Sequence, residues 1–361
     1  MSEISSIKFS SKSHPFGIEL RKRVRSYFLE NNLSTYGNFS YYVKITLLLI
    51  GFIVSYGLVL SNVIPLWSRY LSGCIFGIIS VLIVFNISHD AGHHAISKNK
   101  KLNQILVYTL NLLGTNAYLW NITHNKIHHS FPNVANVDCD IHQQAPLIRV
   151  SPSVPFKKFH KYQVYYAPIL YLTYSLFLTL LKDFQDIQLL PKKDSILLTK
   201  KHKKKEYLIL FISKLFYITY FFIIPILIVP IPWWKTLLAI LSVHILMSFV
   251  LSIVLIPVHM VNEASFAFVD DNNKIDNDWI NHVFANTIDY ARKSKLANIF
   301  FGGLNTHLVH HLFPKICHIH YIDLSEILMD TAAEYNISYN SFSFKEAIVS
   351  HFRLLRRFSH P

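Results

Sequence analysis

Apolar residues run along this chain in long blocks rather than in alternation. Residues 43–66, 70–88, 207–229 and 236–256 each form a block able to cross the roughly 30 Å hydrocarbon core of a bilayer as a helix. Two further blocks, 103–120 and 163–181, are apolar too, but the first is broken by Asn111, Gly114, Thr115 and Asn116. Basic residues crowd the stretch before the first block (Lys8, Lys12, Arg21, Lys22, Arg23, Arg25), and only Arg69 follows it. The positive-inside rule therefore puts the N-terminus in the cytosol. Lys192, Lys193, Lys200, Lys201 and Lys203 to Lys205 belong on that same side, so the two weaker blocks are expected to lie in the interface or to dip in and return. A tight pair of crossings is the competing topology. Between the last two blocks, Pro230-Ile231-Pro232-Trp233-Trp234-Lys235 pairs an aromatic doublet with a single cation, as suits the outer surface.

The expected fold is an all-α integral membrane protein: four transmembrane helices, interfacial helices, and a cytosolic helical cap carrying a dimetal site. Residues 1–40 are taken as a basic cytosolic N-terminal segment without the apolar core of a signal peptide, and 41–361 as one domain. Composition agrees, with 52% hydrophobic against 16% charged residues and a mean hydropathy of +0.30. The formal charge of +14 sits mostly beside the apolar blocks and comes with no nucleic-acid motif, so nucleic acid is excluded as a partner. Cys74, Cys139 and Cys317 are isolated and imply no disulfide framework.

Nine of the twenty histidines fall in three clusters. His89, His93 and His94 stand at i, i+4 and i+5, and so do His124, His128 and His129. His307, His310 and His311 stand at i, i+3 and i+4. Residues four apart lie about 6 Å apart along a helix axis, close enough to share an ion. One ion cannot use nine imidazoles, whereas two can, at four or five each. Such a site in a membrane protein points to oxidation of something apolar. An unactivated C–H bond is beyond ordinary side chains, and a redox metal with dioxygen supplies the missing power. Zinc hydrolysis is the chemical alternative, but it calls for an open position and a carboxylate base, and only Asp90 lies inside a cluster. A metal transporter would place its histidines at mid-membrane, not at the ends of spans. His259 ends the last span and is expected to be a ligand, while His244, alone inside that span, is expected to be a satisfied bundle histidine. His282 is held open as ligand or support. His318 and His320 are taken as structural or supporting, and His14, His142, His160, His202, His351 and His360 as solvent-facing.

The runs His89-Asp90-x-x-His93, Trp120-x-x-x-His124-Asn125-x-x-His128-His129, Asp278-Trp279, Gly302-Gly303-Leu304-Asn305, His310-His311-Leu312-Phe313-Pro314 and Cys317-His318-Ile319-His320-Tyr321 resemble the membrane fatty acid desaturase family, in particular its bacterial linoleoyl-CoA-desaturase-like members. The resemblance covers about residues 44 to 328. It implies an oxidoreductase with two iron ions that uses O2 and two electrons to insert a double bond into a long acyl chain of a lipid or thioester. A separate ferredoxin or cytochrome b5 would deliver the electrons. The implied setting is a bacterial inner membrane, with the site facing the cytosol. A lipid hydroxylase on the same scaffold is the nearest rival. Carried over position by position, the ligands are His89, His93, His124, His128, His129, His259, His307, His310 and His311. Relatives often have Gly at the place of His94, which is held open as ligand or support. Those that desaturate between an existing double bond and the carboxyl end usually have Tyr and Gln at the places of Thr306 and His307, so the resemblance does not extend to that regioselectivity. His14-Pro15-Phe16-Gly17 is a poor echo of the heme motif of a fused cytochrome b5 domain, and about 40 residues before the first span are too few for one.

Overall fold

The computed structural model describes residues 7–10, 15–141, 146–189 and 202–361. Its helices follow the apolar blocks. After α1 (Pro15–Glu30) come two long helices, α2 (Phe39–Leu60) and α3 (Leu66–Gly92). Shorter α4 (Lys100–Val107) and α5 (Ala117–Trp120) follow, then α6 (Lys158–Tyr171) and α7 (Tyr174–Gln188), which meet at a 72° bend. Two more long helices are α8 (Lys204–Ile228) and α9 (Trp233–Leu255). The remainder is built from α10 (Trp279–Asn286), α11 (Lys295–Phe301), α12 (His307–Leu312), α13 (Tyr321–Glu334) and α14 (Phe344–Arg357). Among the described residues, strand pairing is limited to two short parallel pairs, Lys8–Phe9 with Lys274–Ile275 and Asp289–Tyr290 with Ser341–Phe342, and a single parallel bridge between Val134 and Ala267.

Helices α2, α3, α8 and α9 have 22, 27, 25 and 23 residues and mean hydropathies of 2.2, 2.2, 2.0 and 2.6, so they are the four expected membrane spans. Only 17% of the apolar window of α2 is buried inside the protein, which leaves Leu47, Ile50 and Ile53 to face lipid. Asn38 starts α2 by accepting the Tyr41 amide at 2.9 Å, and Pro65 and Pro232 open α3 and α9, where a missing N–H costs nothing. The bundle interior is aromatic and aliphatic, with Phe76, Ile83, Tyr217, Phe221, Val243 and Met247 packed together. Inside it His244 is buried and bonded to Ser175 Oγ at 3.0 Å and Tyr217 OH at 3.3 Å, the satisfied bundle histidine expected.

The basic N-terminal stretch is half core. Helix α1 buries Phe16, Leu20, Val24 and Phe28 against Leu324 and Leu328 of α13 and Ile280 and Val283 of α10. Its outward Arg23 forks onto Glu334 at 2.7 and 2.6 Å. Three histidines expected in solvent are instead buried. His160 bonds Pro146 O at 2.8 Å and accepts the Lys157 amide at 3.0 Å, His202 meets Tyr118 OH at 2.9 Å, and His351 bonds Met260 O at 2.7 Å and Tyr171 OH at 3.0 Å. His160 and His351 tie a loop or helix to its neighbour through both polarities of the ring, and His202 through Nδ1 alone, a use that an isolated polar letter does not announce. His360 is exposed as expected, while His14 and His142 lie outside the described residues. All three cysteines are free thiols.

Candidate metal centre

The end of α3 delivers the first cluster. It passes through a π turn, Val84–Ser88, and a last α turn, His89–Gly92, so that His89 and His93 face the same way with ring centroids 4.9 Å apart. At His94 the backbone turns left-handed (φ 60°), and the side chain leaves the helix and is exposed. That conformation favours glycine, and it explains why His94 does not join its neighbours.

The second cluster follows α5, which Asn116 caps through the Leu119 amide at 3.0 Å. Residues Asn121–His128 then wind as a π-helix, and the His129 amide bonds His124 O at 3.0 Å, five residues back. In this winding i and i+5 lie one turn apart. His124 therefore meets His129, with Nε2 atoms 3.3 Å apart, as well as His128, whose ring stacks on it at 5.2 Å.

The third cluster is aimed by Gly302-Gly303, with φ of 60° and 73°. A Cβ on Gly302 would lie 2.2 Å from the Phe85 carbonyl oxygen, and one on Gly303 would lie 2.6 Å from His318 Cβ. Only glycine permits this approach of the turn to α3. Across the joint, Asp289 accepts the Leu308 amide at 2.8 Å and anchors the start of α12.

Together these elements make two sets of four. The ligand atoms of His89, His93, His124 and His310 all lie within 4.8 Å of one another, and so do those of His128, His259, His307 and His311. The second and third clusters are thus each shared between both sets. His129 sits between the sets, its ring 4.6 Å from His93, 4.6 Å from His310 and 4.5 Å from His311. His282 is buried but lies outside both sets, its Nε2 bonded to Pro132 O at 2.7 Å.

The donor set fits metal ions. His89 Nδ1 and Nε2, His93 Nε2, His129 Nδ1, His307 Nδ1, His310 Nε2 and His311 Nδ1 are buried without a hydrogen-bond partner, which is costly for polar atoms unless something else binds them. His259 Nε2 and His311 Nε2 stand 3.0 Å apart. Neighbouring ligands with bonds of about 2.1 Å to one ion lie about 3 Å apart, the same separation. Burial first, and neighbouring histidines second, push His307, His310 and His311 well below their ordinary values, and His259 falls to about 3 for the same reasons. The rings are therefore neutral, the state in which imidazole binds metal.

Supporting groups escape a cluster-by-cluster scan. Asp138 Oδ2 holds His128 Nδ1 at 2.9 Å, and Asp140 Oδ2 lies 3.4 Å from His124 Nδ1. Burial alone would lower His128, but the Asp138 carboxylate more than offsets it and keeps that ring above its ordinary value. The Asn286 carbonyl orients His259 Nδ1 at 3.0 Å. Behind the first cluster, Asp90 bonds His318 Nδ1 at 2.7 Å, and His318 Nε2 faces Lys44 Nζ at 2.9 Å, the supporting role expected of His318. Trp120 stacks on His124 at 4.6 Å. An Asp-x-Asp ten residues after His128 was the one available signal for the two carboxylates. A cavity of about 170 Å³ reaches both sets, lined by His89, His124, His128, His259 and His307, by apolar side chains that include Val84, Leu178, Leu251 and Leu255, and by the charged Asp140, Lys182 and Asp186.

A sequence profile of the fatty acid desaturase family matches residues 65–343. The chain is 29% identical over 357 residues to the sn-1 linoleoyl-lipid 6-desaturase of Arthrospira platensis, covering 96% of this chain and 94% of that one. It is 30% identical over 359 residues to the sn-1 linoleoyl-lipid 6-desaturase of Synechocystis sp., covering 97% and 96%. With the acyl-lipid (8-3)-desaturase of Physcomitrium patens it shares 28% over 355 residues, covering 96% and 72%.

Proposed function

Because the chain belongs to the fatty acid desaturase family and is a membrane acyl desaturase, we propose that its two histidine sets hold two iron ions and that it introduces a double bond into the acyl chain of a membrane lipid. The observation that carries this reading is the convergence of nine imidazoles, eight of them buried and many with unpartnered nitrogens, five of which line one largely apolar cavity. His89, His93, His124 and His310 would hold one ion, His128, His259, His307 and His311 the other, and His129 the space between. When bound, the irons supply the redox chemistry by which O2 and two electrons remove two hydrogens from adjacent carbons, with water as the other product. The protein's own part is positional. Asp138, Asp140 and the Asn286 carbonyl fix the imidazole orientations. The apolar side chains of the cavity exclude water and hold a methylene pair against the histidines.

The names of the Arthrospira and Synechocystis relatives make a linoleoyl lipid the first substrate to offer and position 6 the first to inspect. A separate carrier, ferredoxin or cytochrome b5, would bring the electrons. The excess of basic residues beside the histidine-bearing ends of the spans supports a cytosol-facing site, and the resemblance to bacterial members supports a bacterial inner membrane. The test is the lipid profile of a desaturase-deficient host that supplies ferredoxin and linoleoyl lipids, with double bonds located by mass spectrometry. A new double bond made by the parent chain and not by His310→Ala is the expected result. Hydroxylated acyl chains would move the assignment to a hydroxylase, and an unchanged profile in this host would overturn it.

A further inference from the structure

At the end of the bundle opposite the histidines, Arg69 lies in the first turn of α3 and is only 5% exposed. Twenty residues separate it from His89, about 30 Å along a helix. Its Nη2 donates to Asn62 Oδ1 at 2.7 Å, but Nε and Nη1 have no partner. Among the described residues no carboxylate pairs with it. Thr236, in the first turn of α9, is equally buried, and its Oγ1 is also unpartnered. Both line one cavity of about 120 Å³, whose other walls are apolar and include Gly73, Phe76, Phe221 and Val243. Tyr70 on its rim is 48% exposed, and Trp233 and Trp234 stand near at 62% and 48%, the aromatic dress of a membrane–water boundary.

A buried guanidinium without a counter-charge is costly, and an ionisable group within a span calls for a named partner. Three donors aimed into an apolar groove match an oxyanion at the head of an acyl chain, since guanidinium binds phosphate and carboxylate through paired N–H groups. We propose that this groove is a second lipid site, distinct from the metal centre, in which Arg69 and Thr236 hold the phosphate or carboxylate of an amphiphile while its chain lies over Gly73 and Phe76. Gly73 keeps the floor open. A Cβ there would meet only Val243 at 3.6 Å and Val59 at 3.8 Å, so a side chain can be added without a backbone clash.

The test is native mass spectrometry of the delipidated full chain in detergent, offered in turn dioleoylphosphatidylglycerol, oleate and dioleoylglycerol. At least one anionic amphiphile should be retained about tenfold better than the neutral diacylglycerol, and Arg69→Gln should abolish that preference. Thr236→Val should weaken it by about threefold through loss of one donor. Gly73→Leu should block retention while far-UV circular dichroism and bound iron stay unchanged. Preference for phosphatidylglycerol identifies a phospholipid head, and preference for oleate a free acid, both supporting the site. Equal retention of all three, or anionic retention unchanged in Arg69→Gln, overturns it. Should Arg69→Gln fail to fold, unchanged retention in both Thr236→Val and Gly73→Leu overturns it equally.

Discussion

Asp138 illustrates how much of a metal site lies outside its ligands. Its carboxylate is fully buried, touches His128 Nδ1 at 2.9 Å and also accepts the Asn133 amide at 2.9 Å, so it fixes both the ring and the loop behind it. Removing such a partner typically costs 10- to 100-fold in metal affinity. Asp138→Asn keeps the shape and loses the charge. Competition with a chelator should show iron held about 10- to 100-fold more weakly, with helical content unchanged, and equal retention would mean that the carboxylate does not support His128. His351 shows a different consequence of burial. Packed between Tyr171 and Met260, it is pushed by desolvation from 6.5 down to about 4. Between those values the unfolded chain binds the proton and the folded one does not. The stabilisation is thus complete above pH 6.5, falls as pH drops, and is lost below about 4, about 3 kcal/mol in all. His351→Gln should therefore show a flatter decline of melting temperature from pH 6.5 to 4 than the parent, and parallel curves would refute this account.

At the scale of the element, the first two clusters have the same spacing and different fates. In both, histidines stand at i, i+4 and i+5, yet His129 enters the centre and His94 leaves it. The π winding of Asn121–His128 brings the fifth residue back over the first, while the left-handed turn at His94 ends its helix one residue too soon. Letters and spacing could not separate the two cases, because what separates them is a backbone hydrogen-bond shift. The four spans, by contrast, were legible to within about six residues, the largest miss being the end of the first, expected at 66 and found at Leu60, since each is written mainly by apolar side chains. The histidine sets were legible as residues but not as a partition. That His124 and His128 serve opposite sets depends on how α5 meets α3, α9 and α12 in space. The burial of His202 and His351 rests on such long-range contacts as well, whereas Asp138, Asp140 and His160 bond within about sixteen residues and were hidden only by the irregular loops that carry them. The difference between the two matched clusters is testable. His129→Ala should lose bound iron and product, and His94→Ala should keep both near parental levels. Equal loss in the two would mean that His94 reaches the metals after all.

Contacts across the whole molecule constrain its path through the membrane more tightly than hydropathy does. His128 precedes the bent pair α6–α7, and His259 follows α8 and α9, yet their rings lie 4.7 Å apart in one site. Both must be on the same side of the bilayer. Helices α8 and α9 already use two crossings, so the bent pair must leave and return on one face, as its 72° bend allows. A fifth span is thereby excluded by parity, although composition alone permits one. The same logic joins His89, after two crossings, to His310, whose ring is 4.4 Å away. It gives a labelling pattern. Val63, 93% exposed in the joint between α2 and α3, should as Val63→Cys react with a membrane-impermeant maleimide added outside intact cells. Exposed Lys158, Lys203 and Lys315, which flank the bent pair and follow the third cluster, should as cysteines react only after permeabilisation. If Lys158→Cys and Lys203→Cys labelled from opposite sides, the bent pair would be a crossing, and a shared site for His128 and His259 could not exist. If all four positions labelled with the sides exchanged, the site would survive but would face away from any cytosolic electron carrier.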